Sequence, residues 1–360
     1  MIAFLLTLLL VLLVAILATY AERKVAAFIQ DRMGPTEVGP YGLLQSVADV
    51  LKLLHKEDIV PATADKLLFK LAPLLIFAAV IAGFAVVPLT PAFAPSGASV
   101  GIFYLLAIIS LDVVGLLMAG WGSNNKFAVL GALRSVAQIV SYEIPAGLAV
   151  LCVVIACQSL DLQEISFQQG ALMNQYPGLE REMNWLFGIE AFHINTTTIG
   201  GITTWNIFRM PLLLIAFVIY FIASLAESNR APFDIPEAES ELVAGFHVEY
   251  SGFRFAALFL AEYGMMFLVS LVAVVLFLGS WNTPFPNIGP VALGYYTSGT
   301  TGELSGHLWG AFWLFSKASL LIFAQLWIRW TYPRLRVDQL MTLCWKVLTP
   351  IALALVLLCS

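Results

Sequence analysis

Eight long apolar runs constrain the fold of this chain more than any other feature of its sequence. Each run approaches the roughly 20 helical residues that cross the hydrocarbon core of a bilayer. The runs are continuous and do not alternate, which predicts helices and excludes the strands of a barrel. Hydrophobic residues make up 60% of the 360 residues and charged residues only 11%, whereas an ordinary soluble domain has about 25% charged residues. The predicted spans are Ile2–Tyr20, Leu67–Leu89, Val100–Gly120, Ala137–Cys157, Ile207–Ala226, Phe253–Gly279, Leu308–Ile328 and Met341–Leu358. We therefore expect an all-α fold, a polytopic helical membrane protein whose residues 1–360 form a single membrane domain.

The lysines and arginines predict how these spans are oriented, because loops rich in these residues stay in the cytoplasm. With the N-terminus outside, almost all of them fall on the cytoplasmic side, and only Arg181 and Arg209 fall outside. The bias predicts that both termini face outward. It also predicts polar cytoplasmic loops at 21–66, 121–134 and 227–252 and an extended outer loop at 158–205.

The first cytoplasmic loop contains a short amphipathic segment. Gly34-Pro35 and Gly39-Pro40 are turn signals. The leucines and valines that follow recur at the spacing of one helical face at Leu43, Leu44, Val47, Val50, Leu51 and Leu54. The segment is too short to span a bilayer, so we expect a helix that lies at the membrane surface.

The third cytoplasmic loop concentrates acidic residues around Arg230, Pro232 and Pro236. Asp234 can cap a helix that starts at Pro236, and acidic residues suit the positive N-terminus of that helix. Capping explains one or two of the acids. It does not account for the whole set of Glu227, Asp234, Glu237, Glu239, Glu241 and Glu249.

Five ionisable residues lie within or at the ends of the predicted spans. They are Asp112, Glu143, Glu227, Glu262 and Lys317. A charge at the centre of a bilayer costs about 2.5–3.5 kcal/mol on insertion scales, so such residues are paired or functional. One interpretation is a structural ion pair between Lys317 and an acid. Four acids and a lysine together favour a polar axis through the membrane that relays protons.

The four cysteines do not predict a metal site. Cys152, Cys157, Cys344 and Cys359 lie in or at the ends of apolar spans, and no pair has a ligand spacing such as C-x-x-C. We expect them to pack as small apolar residues. We expect no metal and no iron–sulfur cluster on this chain.

Long motifs in the polar loops resemble those of the H-type membrane subunits of respiratory complex I, the NADH:quinone oxidoreductase. The resemblance covers nearly the whole chain, with its motifs in the same order. It rests on Ala21-Glu22-Arg23-Lys24, Gln30-Asp31-Arg32-Met33-Gly34-Pro35, Gly120-Trp121-Gly122-Ser123-Asn124-Asn125-Lys126, Arg230-Ala231-Pro232-Phe233-Asp234-Ile235-Pro236-Glu237-Ala238-Glu239, Glu249-Tyr250-Ser251-Gly252 and Ile328-Arg329-Trp330.

The resemblance implies a membrane component of a proton-pumping respiratory-chain translocase in the bacterial inner membrane. Such a component forms the quinone-access tunnel and joins the membrane arm to the peripheral arm. Quinone is its substrate, while NADH, flavin and the iron–sulfur clusters are bound by partner subunits. The implied partners are the hydrogenase-like peripheral subunits, including the one with the terminal cluster, the small and antiporter-like membrane subunits, and the lipid bilayer. A nucleic acid is not among them.

The resemblance also assigns residues to two regions. It implies a quinone cavity lined by Glu22, Arg23, Arg32, Asp49, Arg230, Phe233 and Asp234. It implies a proton path through Asp112, Glu143, Glu227, Glu237, Glu239, Glu241, Glu249 and Glu262, to which the depth argument adds Lys317. The family often carries glutamate where this chain has Asp112, whose side chain is one methylene shorter.

Two alternatives remain open from the sequence. The first is the membrane anchor of a related energy-converting hydrogenase, which has no quinone tunnel and looser loop motifs. The second is a self-sufficient proton or cation transporter. The transporter is disfavoured by the large polar cytoplasmic surface and by the lack of a visible internal repeat.

Overall fold

The chain folds into a bundle of long apolar helices. The computed structural model describes residues 2–91, 93, 95–170, 196–235, 239–288, 291–299 and 303–360. Its helices are α1 (Ile2–Ile29), α2 (Gln45–His55), α3 (Lys66–Gly83), α4 (Gly101–Gly122), α5 (Lys126–Cys157), α6 (Leu162–Gln168), α7 (Thr196–Ile199), α8 (Asn206–Arg209), α9 (Pro211–Glu227), α10 (Glu239–Leu242), α11 (Gly252–Phe277), α12 (Leu293–Ser298), α13 (Leu304–Thr331), α14 (Val337–Thr342) and α15 (Thr349–Cys359). Short 3-10 turns cover Pro40–Gly42, Phe84–Val86, Gly201–Thr204 and Gly245–His247, and a π-helical stretch over Leu343–Leu348 joins α14 to α15.

The expectation of an all-α polytopic membrane protein is confirmed. Among the described residues, seven helices are long and apolar enough to cross a membrane. The only strands in that part of the chain are two antiparallel pieces of two residues each, β1 (Asn287–Ile288) and β2 (Val291–Ala292).

The predicted span Ile207–Ala226 differs from the structure at its start. The chain forms the short helix α8, breaks at Met210 in an extended conformation, and begins α9 at Pro211. The break has a steric cause, because a proline disfavours helical geometry in the residue before it. Helix α9 has 17 residues and rises about 25 Å, which is less than the roughly 30 Å of a hydrocarbon core.

Helices α1 and α5 extend well beyond their predicted ends. Helix α1 continues to Ile29, and α5 begins at Lys126 instead of Ala137. The side chain of Asn125 caps α5 by accepting a hydrogen bond from the Phe127 backbone N–H at 2.9 Å. Most of segment 121–134 is therefore helical, and only Ser123–Asn125 connect α4 to α5.

Helix α11 lies at the centre of the bundle. Its residues from Tyr263 to Phe277 are buried without interruption, and it packs against α1, α3, α9 and α13. A helix that is apolar and buried all round is typical of a core position. The four cysteines also lie in this interior or at its edge: Cys152, Cys157 and Cys344 are buried and Cys359 is partly buried.

The predicted amphipathic helix is present as α2. The Thr19 hydroxyl of α1 donates a hydrogen bond to the buried Ser46 hydroxyl at 3.0 Å. The apolar side chains of the helix point away from the bundle and are exposed at Leu44, Val47, Val50, Leu51 and Leu54. Contact of this face with the membrane surface stays a prediction.

Candidate functional site

The polar loops meet at one end of the bundle, which we call the charged end. Here α1, α4, α9 and α13 finish and α3, α5 and α11 begin. The Ile59 N–H donates to the Ser251 hydroxyl at 2.9 Å, and the Leu335 N–H donates to the Pro232 carbonyl at 3.0 Å. Segments far apart in sequence are thus joined at this end of the bundle.

Tyr250 fixes the third loop onto α3. Its ring stacks on the Phe69 ring with centroids 4.2 Å apart, and its hydroxyl donates to the Phe69 carbonyl at 3.2 Å. Burial raises the pKa of the Tyr250 hydroxyl above its usual value. The group therefore stays neutral and acts as a hydrogen-bond donor.

Glu22 is the centre of a buried ionic cluster at the charged end. Its side chain accepts hydrogen bonds from Arg230 at 3.3 Å, from the Tyr263 hydroxyl at 2.5 Å, and from Arg329. Glu22 is only 7% exposed and Arg230 only 4%. The Arg230 guanidinium also lies over the Tyr263 ring, 4.3 Å from its centroid. Helices α1, α11 and α13 and the third loop are joined at this carboxylate.

Two members of this cluster, Arg329 and Tyr263, were not predicted from the sequence. Arg329 lies in the last turn of α13. In the sequence it was counted only among the basic residues that orient the spans. Tyr263 directly follows Glu262, so it faces a different side of α11 from its neighbour. A basic residue inside the last turn of a span is the signal that could have pointed to Arg329.

The remaining predicted quinone-cavity residues fall into separate groups. Arg23 pairs with Asp49 at 2.6 Å, and Asp234 pairs with Arg334 at 3.0 Å. Phe233 is buried, and its ring meets the Tyr142 ring edge-on at 5.3 Å between centroids. Arg32 is exposed and donates to Gln30 at 2.7 Å, so it is not brought into the Glu22 cluster.

Two cavities link the predicted membrane acids. The larger, about 190 Å³, is bordered by Ser110, Glu143 and Glu227 within an otherwise apolar wall that includes Tyr220. The smaller, about 20 Å³, is bordered by Asp112, Glu227 and Glu262. A cavity of that smaller size holds about one water molecule. Glu227 borders both cavities and is the residue common to them.

These acids are near one another and lack protein partners for some of their oxygens. Asp112, Glu143 and Glu227 all border these two cavities. Within the described part of the chain, Asp112 Oδ1 and Glu143 Oε1 are buried without a hydrogen-bond partner. Native proteins leave few buried polar atoms without a partner, so these two oxygens mark a place that calls for a specific explanation.

Glu262 connects the acids to the third loop. Its Oε1 lies 3.0 Å from Nε2 of His247, in the turn Gly245–His247. The backbone of this turn packs closely on α5, because a methyl group added at Gly131 would lie 2.7 Å from the Gly245 Cα. His247 was not predicted to take part.

The other loop acids lie farther toward the surface. Glu249 accepts a hydrogen bond from the Asn125 side chain at 2.7 Å, and exposed Glu241 pairs with Arg134 at 2.6 Å. Glu237 lies outside the described residues. Glu239 begins α10, but its side chain also lies outside the description.

Lys317 does not join the acids. Its Nζ donates to the backbone carbonyls of Leu278, Ser280 and Asn282 at 2.9, 2.9 and 2.6 Å. The ammonium also lies 4.3 Å from the centroid of the Trp205 ring. The described hydrogen-bond partners of Lys317 contain no carboxylate, so the ion pair with an acid, one of the two interpretations of the sequence, is not seen among the described residues. Lys317 caps the C-terminal end of α11, away from the charged end, because a cation is favoured there.

Comparison with known proteins assigns the sequence to a family. The chain matches the NADH dehydrogenase family over residues 2–360. It is 60% identical over 349 residues to an H-type component of the NADH-quinone oxidoreductase of Cytophaga hutchinsonii, a match that covers 97% of this chain and 94% of the relative. It is 54% identical over 333 residues to the H-type component of the NADH-quinone oxidoreductase of Chlorobium luteolum, covering 92% of this chain and 80% of that protein. The corresponding protein of Chlorobaculum parvum is 52% identical over 334 residues, covering 93% and 84%.

Proposed function

Because the chain belongs to the NADH dehydrogenase family, we propose that it forms the quinone-access tunnel of its complex and couples quinone reduction to proton translocation through its buried carboxylates. The chain is a multi-pass membrane subunit of complex I, an NADH-quinone oxidoreductase, and does not form a complete enzyme alone. The finer proposal concerns what its own residues contribute to that complex.

The observation that carries the coupling proposal is the position of Glu227 between the two cavities. On the small-cavity side lie Asp112 and Glu262, and on the large-cavity side lies Glu143. Carboxyl groups separated by short water-sized gaps can pass a proton from one to the next. In this proposal Glu227 passes protons between the acids of the two cavities.

The Glu22 cluster supports a quinone cavity at the charged end. A buried carboxylate held by two arginines and a tyrosine is rigid, and its net charge depends on every partner. A change in charge at a nearby quinone would act on this cluster directly. In this proposal Arg23, Asp49, Phe233 and Asp234 line the same polar end, and quinone enters from the bilayer. NADH, flavin and the iron–sulfur clusters belong to partner subunits, and the complex resides in the bacterial inner membrane.

Arg230 provides the test of this proposal. Arg230→Met leaves Glu22 with one arginine fewer, and loss of one partner of a buried pair typically costs about 3–5 kcal/mol. We expect membranes with this variant to lose most NADH:quinone activity while keeping NADH oxidation by an artificial acceptor upstream. Arg230→Lys keeps the charge without the rigid fork of donors and should give an intermediate rate. Near-normal rates for both variants in both assays would remove Arg230 from the quinone site.

A further inference from the structure

His247 is a buried titratable residue that the proposed proton path does not yet use. It is 6% exposed, and its Nε2 lies 3.0 Å from Glu262 Oε1. Its neighbours on two sides are aromatic: the ring centroid of His247 lies 4.0 Å from that of Phe246 and 5.7 Å from that of Phe255. An imidazole and a carboxylate are thus held together in a place with little water.

The fold keeps this pair in position from two directions. The turn Gly245–His247 packs against α4 and α5, and Gly245 has a positive φ of 54° that favours glycine. Glu262 comes from α11, the most buried helix of the bundle. The imidazole–carboxylate distance is therefore set by the contact between the third loop and the helices, and does not depend on a flexible surface side chain.

The pair lies at the junction between the loop and the membrane acids. Glu262 and Phe246 both border the small cavity that Asp112 and Glu227 share. The charged groups on the surrounding elements come from two helices that pack on the turn, from α9 and α11, and from the loop itself. They are Asp112 on α4, Lys126, Glu143 and Arg134 on α5, Glu227 at the end of α9, Arg254 and Glu262 on α11, and Glu241 and Glu249 of the loop. Of these groups, Glu262 is hydrogen-bonded to His247.

We propose that His247 passes protons between the third loop and Glu262, and so forms the first step of the path into the membrane. The inference rests on the proposed function and adds a carrier to it. Histidine suits this position because it takes up and releases a proton near neutral pH, and because its two ring nitrogens can face different groups.

The step balances as a simple proton transfer. Imidazole protonated on both nitrogens gives the proton on Nε2 to Glu262 Oε1, so that the N–H bond breaks and a carboxyl O–H bond forms. The product is neutral imidazole beside a neutral carboxyl group. The remaining proton is then on Nδ1, so the ring must rotate to bring the unprotonated Nε2 to the loop side. A proton that arrives there restores the imidazolium after Glu262 has passed its own proton toward Asp112 or Glu227.

Three variants of the assembled complex test this role. His247→Gln places an amide near the position of Nε2, which can hydrogen-bond to Glu262 but cannot carry a proton. His247→Ala removes the ring and leaves room for added imidazole. His55→Gln is the matched control, because His55 is exposed on α2. The measurements are quinone reduction against pH, the proton-to-electron ratio, and NADH oxidation by an artificial acceptor upstream, which reports the amount of assembled complex.

We expect His247→Gln to lower quinone reduction by about tenfold or more, since general acid–base groups typically contribute about 10²–10⁴-fold. The pH dependence near neutrality should flatten, while His55→Gln behaves as the wild type. Added imidazole should restore His247→Ala, and pyrrole, a ring of the same size without basicity, should not. If His247→Gln does not assemble, rescue of His247→Ala by imidazole decides the question.

Two results would overturn the proposal. One is a normal rate and pH profile in His247→Gln. The other is an impaired His247→Ala that imidazole does not restore, which would mean a purely structural role. The Arg230 variants test the proposed function separately. If Arg230→Met loses quinone reduction as expected and His247→Gln does not, only the role of His247 is refuted.

Discussion

At residue 317 one ammonium group satisfies three backbone carbonyls at the end of α11. The sequence shows a lysine in the middle of an apolar run and thereby suggests a partner for the membrane acids. The geometry instead gives all three N–H donors of the ammonium to main-chain oxygens. An ammonium that is fully engaged in this way stabilises the fold.

We predict that Lys317→Met lowers the heat stability of the assembled complex and leaves its proton-to-electron ratio unchanged. Each buried carbonyl without a donor costs about 1–3 kcal/mol, so the loss of stability should reach about 3 kcal/mol or more. The measurement is the temperature of half-inactivation, with Lys346→Met as an exposed control. A heat-stable variant that pumps fewer protons per electron would contradict this structural role and support the predicted place of Lys317 in the proton path.

The sequence predicted which acids border the two cavities, but it predicted less well how the other charged residues pair. Four acids could be predicted because a carboxylate inside a membrane span is energetically costly unless it is paired or functional. They are Asp112, Glu143, Glu227 and Glu262. Arg230 pairs with Glu22, 208 positions away, a carboxylate that the sequence did not suggest as its partner, while its expected pairing with the acids of the third loop stays a prediction. Long-range pairs of this kind depend on how the helices pack, which local spacing does not encode.

At the scale of elements, glycines decide how closely α5 approaches its neighbours. Gly131 faces the third loop, where an added methyl group would lie 2.7 Å from the Gly245 Cα. Gly147 lies on the same helix, and an added methyl group would meet nothing within 4 Å. The two positions therefore form a matched pair for the same substitution.

We predict opposite effects for alanine at these two positions. Gly131→Ala must push the turn Gly245–His247 away from α5, and such overpacking typically costs about 1–3 kcal/mol. Gly147→Ala should stabilise the helix by up to about 1 kcal/mol, because alanine favours helices over glycine by that amount. Thermal unfolding of the two purified variants checks this, and a loss of equal size in both would mean that the contact with Gly245 is not close.

The boundaries of elements were predicted less well than their existence. The spans at α3, α4 and α11 followed from apolar length alone. The break before Pro211 could have been predicted from the rule that a proline disfavours helical geometry in the preceding residue, here Met210. The early start of α5 could have been predicted by identifying Asn125 as its N-cap. Both are local stereochemical signals, and bounds taken from the length of an apolar run alone do not include them.

At the scale of the whole molecule, the prediction concerns topology. Both termini should face outward and the third loop should face the cytoplasm, because of the distribution of lysine and arginine. With the four native cysteines replaced, a membrane-impermeant thiol reagent added to intact cells should label Ser360→Cys but leave Ser240→Cys unlabelled. Labelling at position 240 from outside would reverse the orientation of every span.

The central claim is that Glu227 links the acids of the two cavities, Asp112 and Glu262 on one side and Glu143 on the other, and Glu227→Gln tests it most directly. Glutamine keeps the size and hydrogen bonding of the side chain but cannot carry a proton. With exposed Glu303→Gln as the control, we predict that the assembled complex still oxidises NADH with an artificial acceptor upstream, yet loses most of its quinone-driven proton pumping. A Glu227→Gln complex that pumps at the normal rate and proton-to-electron ratio would contradict the account.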